Sequence, residues 1–392
     1  MPTLSLAPAS VADYRRLAER RLPRFLFDYL DGGAYAEVTL GRNVRDFERL
    51  ELHQRILRDV SARTTSTQLF GAELTFPLAL SPVGLSGMMA RRGEAAARKV
   101  AGEFGIPYCL STLSVCSVEE VAAAGSGPLW FQLYMMRDRG ACADLIRRVK
   151  AAGVSVLALT VDLPVVGTRY RDVRNTMSGG GNAWARLRRG LISYALHPAW
   201  VMDVGLGGTP HGLGNIAPYA ESAATPADFA AWANASIDPS ISWADLAWIR
   251  SQWSGPLVIK GILSPLDAAE AVQHGADGLI VSNHGGRQLD GVASTISMLP
   301  RIADKVGGQT KLILDGGVRS GQDILKALAL GADAAMMGRP WVYALAGAGG
   351  TGLLNQLKAL HGEFSVSMAL TGVTAVDQIS PDVIDQASGM AM

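Results

Sequence analysis

Eight short apolar runs, separated by segments of helical periodicity, predict a (β/α)8 TIM barrel. The runs lie at 77–81, 106–111, 129–133, 155–161, 256–260, 278–282, 311–315 and 334–337. Each is continuously apolar rather than alternating, as a strand buried on both faces must be, and each ends in polar residues or glycine. Segments 94–104, 118–124, 141–152, 265–274 and 320–330 carry the clearest helical spacing between them. An open doubly wound sheet would show the same alternation; the count of eight favours closure.

The composition allows such a fold. The chain has 392 residues, of which 48% are hydrophobic and 18% charged, the balance of a globular chain with a large core. Lys and Arg number 36 and Asp and Glu 35, so the formal net charge of +1 gives no footprint for nucleic acid. Cys109, Cys116 and Cys142 are too few for a disulfide scaffold and match no zinc spacing. They predict a reduced, cytosol-facing chain without a metal site. Residues 1–24 lack the apolar core of a signal peptide. No run reaches ~18 apolar residues, and the most apolar long segment, 151–166, is broken by Asp162 and Pro164. Any membrane contact is therefore expected from one side.

The whole of 1–392 reads as one barrel domain with two departures from the rhythm. Residues 10–30 predict two short helices broken at Pro23 and stopped by Gly32-Gly33. Residues 173–242 form a long insertion between strands four and five, of the kind that is usually functional or mobile. The residues after Met337 read as closing helices.

A barrel of this kind keeps its active site at the C-terminal ends of its strands. Those ends read Pro82-Val83-Gly84, Ser111, Gln132 with Tyr134, Thr160 with Asp162, and Lys260. The last three are Ser282-Asn283-His284, Asp315-Gly316-Gly317-Val318-Arg319 and Gly338-Arg339. Within 282–290, His284 is placed to take a proton and Arg287 to clamp a carboxylate, with Gly285 and Gly286 permitting a sharp turn. A structural loop histidine is the plainer alternative; the Gly-Gly-Arg that follows favours chemistry. The Gly- and Arg-rich turns at 316–319 and 338–339 suit phosphate, which barrels bind at their last two loops. Tight turning alone would also explain their glycines. Lys260 fits a Schiff base, a charge stabiliser or an ion pair with a rim acid, and position does not choose among them.

Taken together, 282–290, 314–319 and Gly338-Arg339 resemble the FMN-dependent α-hydroxy acid oxidoreductases. Phe27-Asp28-Tyr29, Asp31-Gly32-Gly33-Ala34 and Trp130-Phe131-Gln132-Leu133-Tyr134 extend the likeness over nearly the whole chain. Asp31-Gly32-Gly33-Ala34-Tyr35, Gln54-Arg55-Ile56-Leu57, Tyr170-Arg171-Asp172 and the 238–243 segment look like the subgroup of bacterial membrane-associated L-lactate dehydrogenases. The resemblance implies FMN resting against Pro82, Val83, Gly84 and Ser111, with its polar ring edge meeting Gln132, Thr160 and Lys260. It implies a phosphate site at Gly317, Arg319, Gly338 and Arg339, with Asp315 on the ribityl chain and Ser282 and Gly316 among the cofactor contacts. It further implies a carboxylate grip by Arg169 and Arg287 helped by Tyr29, with Tyr134 on the substrate hydroxyl. His284 would be the base and Asp162 its partner. The reaction implied is oxidation of a small L-2-hydroxy acid, foremost L-lactate to pyruvate, with a quinone or another respiratory acceptor taking the electrons. Mandelate dehydrogenation and peroxide-forming oxidation are the alternatives within that chemistry. Gly84, where O₂-reactive relatives often carry Ala, favours a dehydrogenase; Leu113 stands where plant glycolate oxidases carry Trp.

From Val173 to Met202 no acidic residue occurs, while Arg174, Arg186, Arg188 and Arg189 mix with Trp184, Tyr194, Trp200, Leu187, Leu191, Ile192 and Leu196. That mixture predicts peripheral contact, through 173–202, with the cytoplasmic face of the membrane. A mobile lid or a subunit contact is the alternative, and a homo-oligomer is expected. Among unrelated readings, an FMN-binding isoprenoid diphosphate isomerase would have no use for Arg169, His284 and Arg287. A class I aldolase using Lys260 leaves 284–287 unexplained. A non-catalytic flavin-binding or membrane-scaffold protein would not need so polar a rim.

Overall fold

The computed structural model describes residues 7–175, 183–219 and 235–385, and within 183–189 only the side chain of Leu187. Eight parallel strands close into a barrel: β1 (Leu78–Leu80), β2 (Tyr108–Ser111), β3 (Leu129–Leu133), β4 (Val156–Thr160), β5 (Leu257–Ile262), β6 (Gly278–Val281), β7 (Lys311–Asp315) and β8 (Ala334–Met337). Each pairs with the next, and β8 returns to β1 with Ala335 opposite Leu78 and Met337 opposite Leu80. Pro77, Pro107, Pro128 and Pro256 each stand just before a strand, where a missing N–H costs no ladder bond. Their carbonyls accept from Ala335, Leu80, Tyr108 and Leu157 of the neighbouring strands at 2.9, 2.9, 3.2 and 3.0 Å.

Side chains alternate across the strands with period two, and the alternation divides the core. Leu110, Phe131, Leu157, Ile259, Leu279 and Leu314 point outward into the layer under the helices. Cys109, Trp130, Ala158, Val258, Ile280 and Ile313 fill the barrel interior. One step further toward the C-terminal mouth, the inward positions turn polar: Ser111, Gln132, Thr160, Lys260 and Asp315, each at least nine-tenths buried. An apolar run whose last inward residue is polar therefore writes both the barrel and its site. At the opposite end a hairpin, Thr67–Leu69 paired with Ala72–Leu74, plugs the barrel with Leu69 and Leu74. It turns through Phe70 and Gly71, both at positive φ, as a two-residue hairpin requires.

Helices Gly93–Phe104, Val118–Ala123, Arg139–Ala151, Asp245–Gln252, Pro265–Gln273, Thr295–Val306, Gly321–Ala329 and Arg339–Leu370 follow the strands in turn. Ser117, Asp138, Ser264, Ser294 and Ser320 cap five of them by accepting from first-turn amides. Before the barrel lie Val11–Arg21 and Arg24–Asp31, broken at Pro23 as expected, and then Val38–Glu48. That third helix was not expected; nor were Asp245–Gln252, which follows the insertion, and Thr295–Val306, which carries Pro300 in its interior.

The insertion leaves the barrel through Tyr170–Arg174 and contains a helix at Ala183–Leu196. One expectation for it fails. Trp200, expected among the membrane-facing aromatics, is 4% exposed and its indole N–H donates to the Met88 carbonyl at 2.9 Å. Tyr194 stacks on it with ring centroids 5.9 Å apart. A buried indole takes its hydrogen bond inside the protein and cannot serve an interface. Trp184, Arg186, Arg188 and Arg189 have side chains outside the described set. Leu187, Leu191, Leu196, Met202 and Leu206 are exposed. No helix among the described residues is long and apolar enough to cross a membrane.

Candidate active site

The end of β6 presents His284. Its φ is +57°, and Gly285 and Gly286 follow at +64° and +72°, so three successive residues turn left-handed. For a histidine that conformation is strained, and such strain collects at functional positions. The turn is held by the Ser282 hydroxyl, which accepts from the His284 amide at 3.1 Å. It aims the imidazole at Asp162, beyond the end of β4: Nδ1 lies 2.8 Å from the Asp162 carboxylate. A proton on Nδ1 leaves Nε2 as the free acceptor, with the Tyr134 hydroxyl 3.5 Å away. Burial pushes the imidazole pKa down, against the pull of the Asp162 charge, so a neutral ring prevails at neutral pH. Burial works the other way on Asp162, yet the adjacent His284 holds its carboxyl below the usual range. Burial raises the Tyr134 phenol, which stays protonated.

Two guanidinium groups share the rim with this base. Arg287 follows His284 by one turn of the loop, and Arg169 precedes the Tyr170–Arg174 helix. The Tyr29 ring lies between them, 4.8 Å from the Arg287 guanidinium and 5.9 Å from that of Arg169. Burial and then the charge of Arg287 lower the Arg169 pKa to about 10. The nearest carboxylate, Asp172, is 3.5 Å from Arg169, and its other oxygen has no hydrogen-bond partner. Two partly buried like charges so weakly countered fit a carboxylate ligand.

Deeper in the mouth, Lys260 Nζ lies 3.0 Å from both Asp315 and the Ser282 hydroxyl, and Ser282 donates to Asp315 at 3.0 Å. Ser81 donates to the other Asp315 oxygen at 2.7 Å. Burial would lower the Lys260 pKa, but Asp315 and Asp162 keep it raised and the amine charged. Ser111 Oγ donates to the side-chain Oε1 of Gln132 at 3.0 Å. Gln132 Nε2 and Thr160 Oγ1 are buried without any partner. Unsatisfied buried donors are costly, and these two line the cleft beside Lys260. They fit the polar edge of a flavin ring. At the phosphate end, first-turn amides of the Gly321–Ala329 helix are already engaged, since Gly321 N donates to Glu363 at 2.7 Å and Asp323 N to the capping Ser320 hydroxyl at 3.2 Å. The Arg339–Leu370 helix has no side-chain cap, so its N-terminus at Gly338 is the one open to an anion. Arg339 meanwhile donates to the carbonyls of Leu30, Gly285 and Gly32 at 3.1, 2.9 and 2.8 Å.

Of the residues expected from sequence, Tyr29, Pro82, Val83, Gly84, Ser111, Gln132, Tyr134, Thr160, Arg169, Lys260, His284, Arg287, Asp315, Gly316, Gly317, Arg319, Gly338 and Arg339 line one cleft. Ser282 and Asp162 stand behind it, the first bridging Lys260 to Asp315 and the second backing His284. Other parts were missed. Leu163, Val166 and Ile237 complete the apolar wall. Gln288 clips the two loops together, donating to the carbonyls of Asp162 and Val165 at 3.0 and 2.8 Å and accepting from Gly167 N at 3.0 Å. The side-chain amides of Asn283 and of Asn43, on the unexpected third helix, exchange two hydrogen bonds of 2.8 Å. Asp290 accepts from Val38 and Thr39 at the start of that helix at 3.2 and 2.8 Å.

A base with its carboxylate, a paired guanidinium clamp and a cationic floor with unsatisfied donors make a site for flavin-dependent oxidation of an acid. Residues 18–386 match the family model described as FMN-dependent dehydrogenase. The chain belongs to this FMN-dependent family. FMN is its cofactor, and it is an oxidoreductase. An L-lactate dehydrogenase of Caulobacter sp. (strain K31) is 53% identical over 96% of this chain and 98% of its own length. The L-lactate dehydrogenase of Xanthomonas axonopodis pv. citri (strain 306) is 53% identical over 96% of each chain. Among solved structures, the monotopic membrane protein (S)-mandelate dehydrogenase superposes with a TM-score of 0.90 at 35% identity, covering 97% of this chain and 100% of that one. A mandelate oxidase gives 0.81 at 36% identity over 97% and 98%.

Proposed function

We propose that this protein oxidises L-lactate to pyruvate and passes the electrons to a membrane quinone or another respiratory acceptor. One observation carries the chemistry: the free nitrogen of His284 and the guanidinium groups of Arg169 and Arg287 face the same cleft. FMN, when bound, supplies the two-electron acceptor. The residues of the chain do the rest. Arg169 and Arg287 take the substrate carboxylate and fix its orientation. Nε2 of His284 receives a substrate proton, and Asp162 stabilises the imidazolium that results. Tyr134 meets the hydroxyl side, and Lys260 keeps a positive charge at the floor of the cleft, where it would face the polar edge of the flavin. Sequence identity favours lactate over mandelate, since the L-lactate dehydrogenases stand at 53% and the mandelate enzymes at 35% and 36%. Mixing the purified protein anaerobically with L-lactate, D-lactate, (S)-mandelate and glycolate tests this. L-Lactate should bleach the flavin band fastest, and faster bleaching by mandelate would overturn the substrate assignment. Admitting O₂ or a quinone afterwards should reoxidise the flavin faster with the quinone; Gly84 supports that dehydrogenase behaviour.

We also place the protein peripherally on the cytoplasmic face of the membrane, through 173–202, as an oligomer of identical chains. Support comes from the exposed aliphatics Leu187, Leu191, Ile192, Leu196 and Met202, from the absence of acidic residues, and from the monotopic relative. Changing Arg186, Arg188 and Arg189 together to Glu should release the protein from sedimenting membranes. Unchanged sedimentation would remove the segment from that role.

A further inference from the structure

Asp31 is an aspartate that the reaction as described does not use. It is 7% exposed, at the end of the Arg24–Asp31 helix. Its two oxygens accept four hydrogen bonds: Arg15 Nε and Nη2 at 2.7 Å each, Arg171 Nη1 at 2.8 Å and the Tyr343 hydroxyl at 2.6 Å. Burial alone would raise its pKa; these partners reverse that and hold it well below the usual carboxylate range. The three donor residues come from three different helices, one of which starts just after Arg169 and another at Arg339. Arg171 is two residues past Arg169, and Tyr343 is one turn past Arg339.

The neighbours of Asp31 touch both sites directly. Two residues before it, the Tyr29 ring lies against Arg287 and Arg169 at 4.8 and 5.9 Å. One residue after it, the Gly32 carbonyl accepts from Arg287 Nη1 at 2.9 Å and from Arg339 Nη2 at 2.8 Å. A guanidinium of the carboxylate clamp and one of the phosphate end therefore share a single backbone oxygen. A second cavity, bordered by Arg15, Asp31 and Tyr343, has Arg319 and Arg339 in common with the active-site cleft.

We propose that Asp31 is a positioning residue that sets the substrate clamp and the cofactor phosphate site at once, by fixing the Tyr29–Gly32 segment between Arg171 and Tyr343. The clamp half rests on the lactate reading above; the cofactor half rests on FMN alone. A charge held by four donors fixes its segment far more closely than packing does, and small displacements of a clamp cost binding steeply.

Asp31→Asn keeps the shape and removes the charge. In that variant KM for L-lactate and the FMN dissociation constant should each rise about tenfold, with kcat at saturating FMN within about twofold of the parent. Tyr343→Phe should weaken FMN and spare KM; Arg171→Met should raise KM and spare FMN. FMN affinity is read from quenching of flavin fluorescence on titrating apoprotein. If Asp31 merely staples three helices, Asp31→Asn lowers the melting temperature and leaves KM and FMN affinity at parental values, which overturns the proposal. A loss confined to kcat also overturns it. Should Asp31→Asn not fold, the two partner variants decide, and parental values for both KM and FMN affinity in both would reject it. If L-lactate fails to bleach the parent flavin, the substrate reading falls, and the FMN titrations still judge the cofactor half.

Discussion

The proton on His284 is set by two opposed forces. Burial disfavours the charged imidazole, and the Asp162 carboxylate 2.8 Å away favours it. The first wins, so the base form is present at neutral pH and the acid limb of kcat/KM should fall below the ordinary histidine value. Asp162→Asn removes the force that raises the pKa. The limb should then move to still lower pH, while the plateau drops ~10²–10⁴-fold because the imidazolium loses its counter-charge. A limb that moves to higher pH would contradict the pairing. His284→Ala should still bind FMN, since its side chain holds none of the floor. It should bleach with L-lactate at least ~10²-fold more slowly, as stopped-flow absorbance would read.

At the level of single elements, the site depends on backbone geometry at loop ends. Gly317 has φ of +94°, and a Cβ there would sit 2.1 Å from the Asn43 carbonyl and 2.8 Å from the Phe47 ring. Gly317→Ala therefore clashes with the Val38–Glu48 helix as well as straining its own backbone. It should lower unfolding free energy by roughly 1–3 kcal/mol and yield protein depleted in FMN, both measurable by denaturant titration and flavin absorbance. The Ser320 cap is a gentler case. Its hydroxyl accepts from Asp323 N at 3.2 Å, and Ser320→Ala should cost ~1 kcal/mol with little change in FMN content.

Across the whole molecule, charge is nearly balanced while the cleft is cationic. The formal net charge is +1, yet Lys260, Arg169, Arg287, Arg319 and Arg339 line one mouth. Such a mouth repels itself until anions arrive, so cofactor binding should stabilise the entire barrel. At FMN near 100 times its dissociation constant the gain is ~2.7 kcal/mol. The melting temperature should therefore climb with added FMN, and a flat response would show that the barrel does not depend on its cofactor for stability.

The barrel and most of its rim could be read from the chain alone, because both depend on local pattern. A parallel strand buried on two faces must be a continuous apolar run, and its last inward residue must face the mouth; Ser111, Gln132, Thr160, Lys260 and Asp315 follow directly. The 67–74 hairpin has strands of only three residues, and Pro300 interrupts the Thr295–Val306 helix, so neither gives a strong local signal. What no local pattern could disclose was which distant groups meet. Trp200 looked like an interface residue until its N–H found the Met88 carbonyl. Asn43 meets Asn283, Gln288 meets Asp162, and Asp31 meets Arg15, Arg171 and Tyr343, across separations along the chain that carry no periodic signal. Strand identity and strand-end chemistry are properties of a few neighbouring residues, so the sequence by itself determined them. The partners that hold a buried charge or amide are chosen only when the barrel closes, because closure alone brings those donors and acceptors within hydrogen-bond reach.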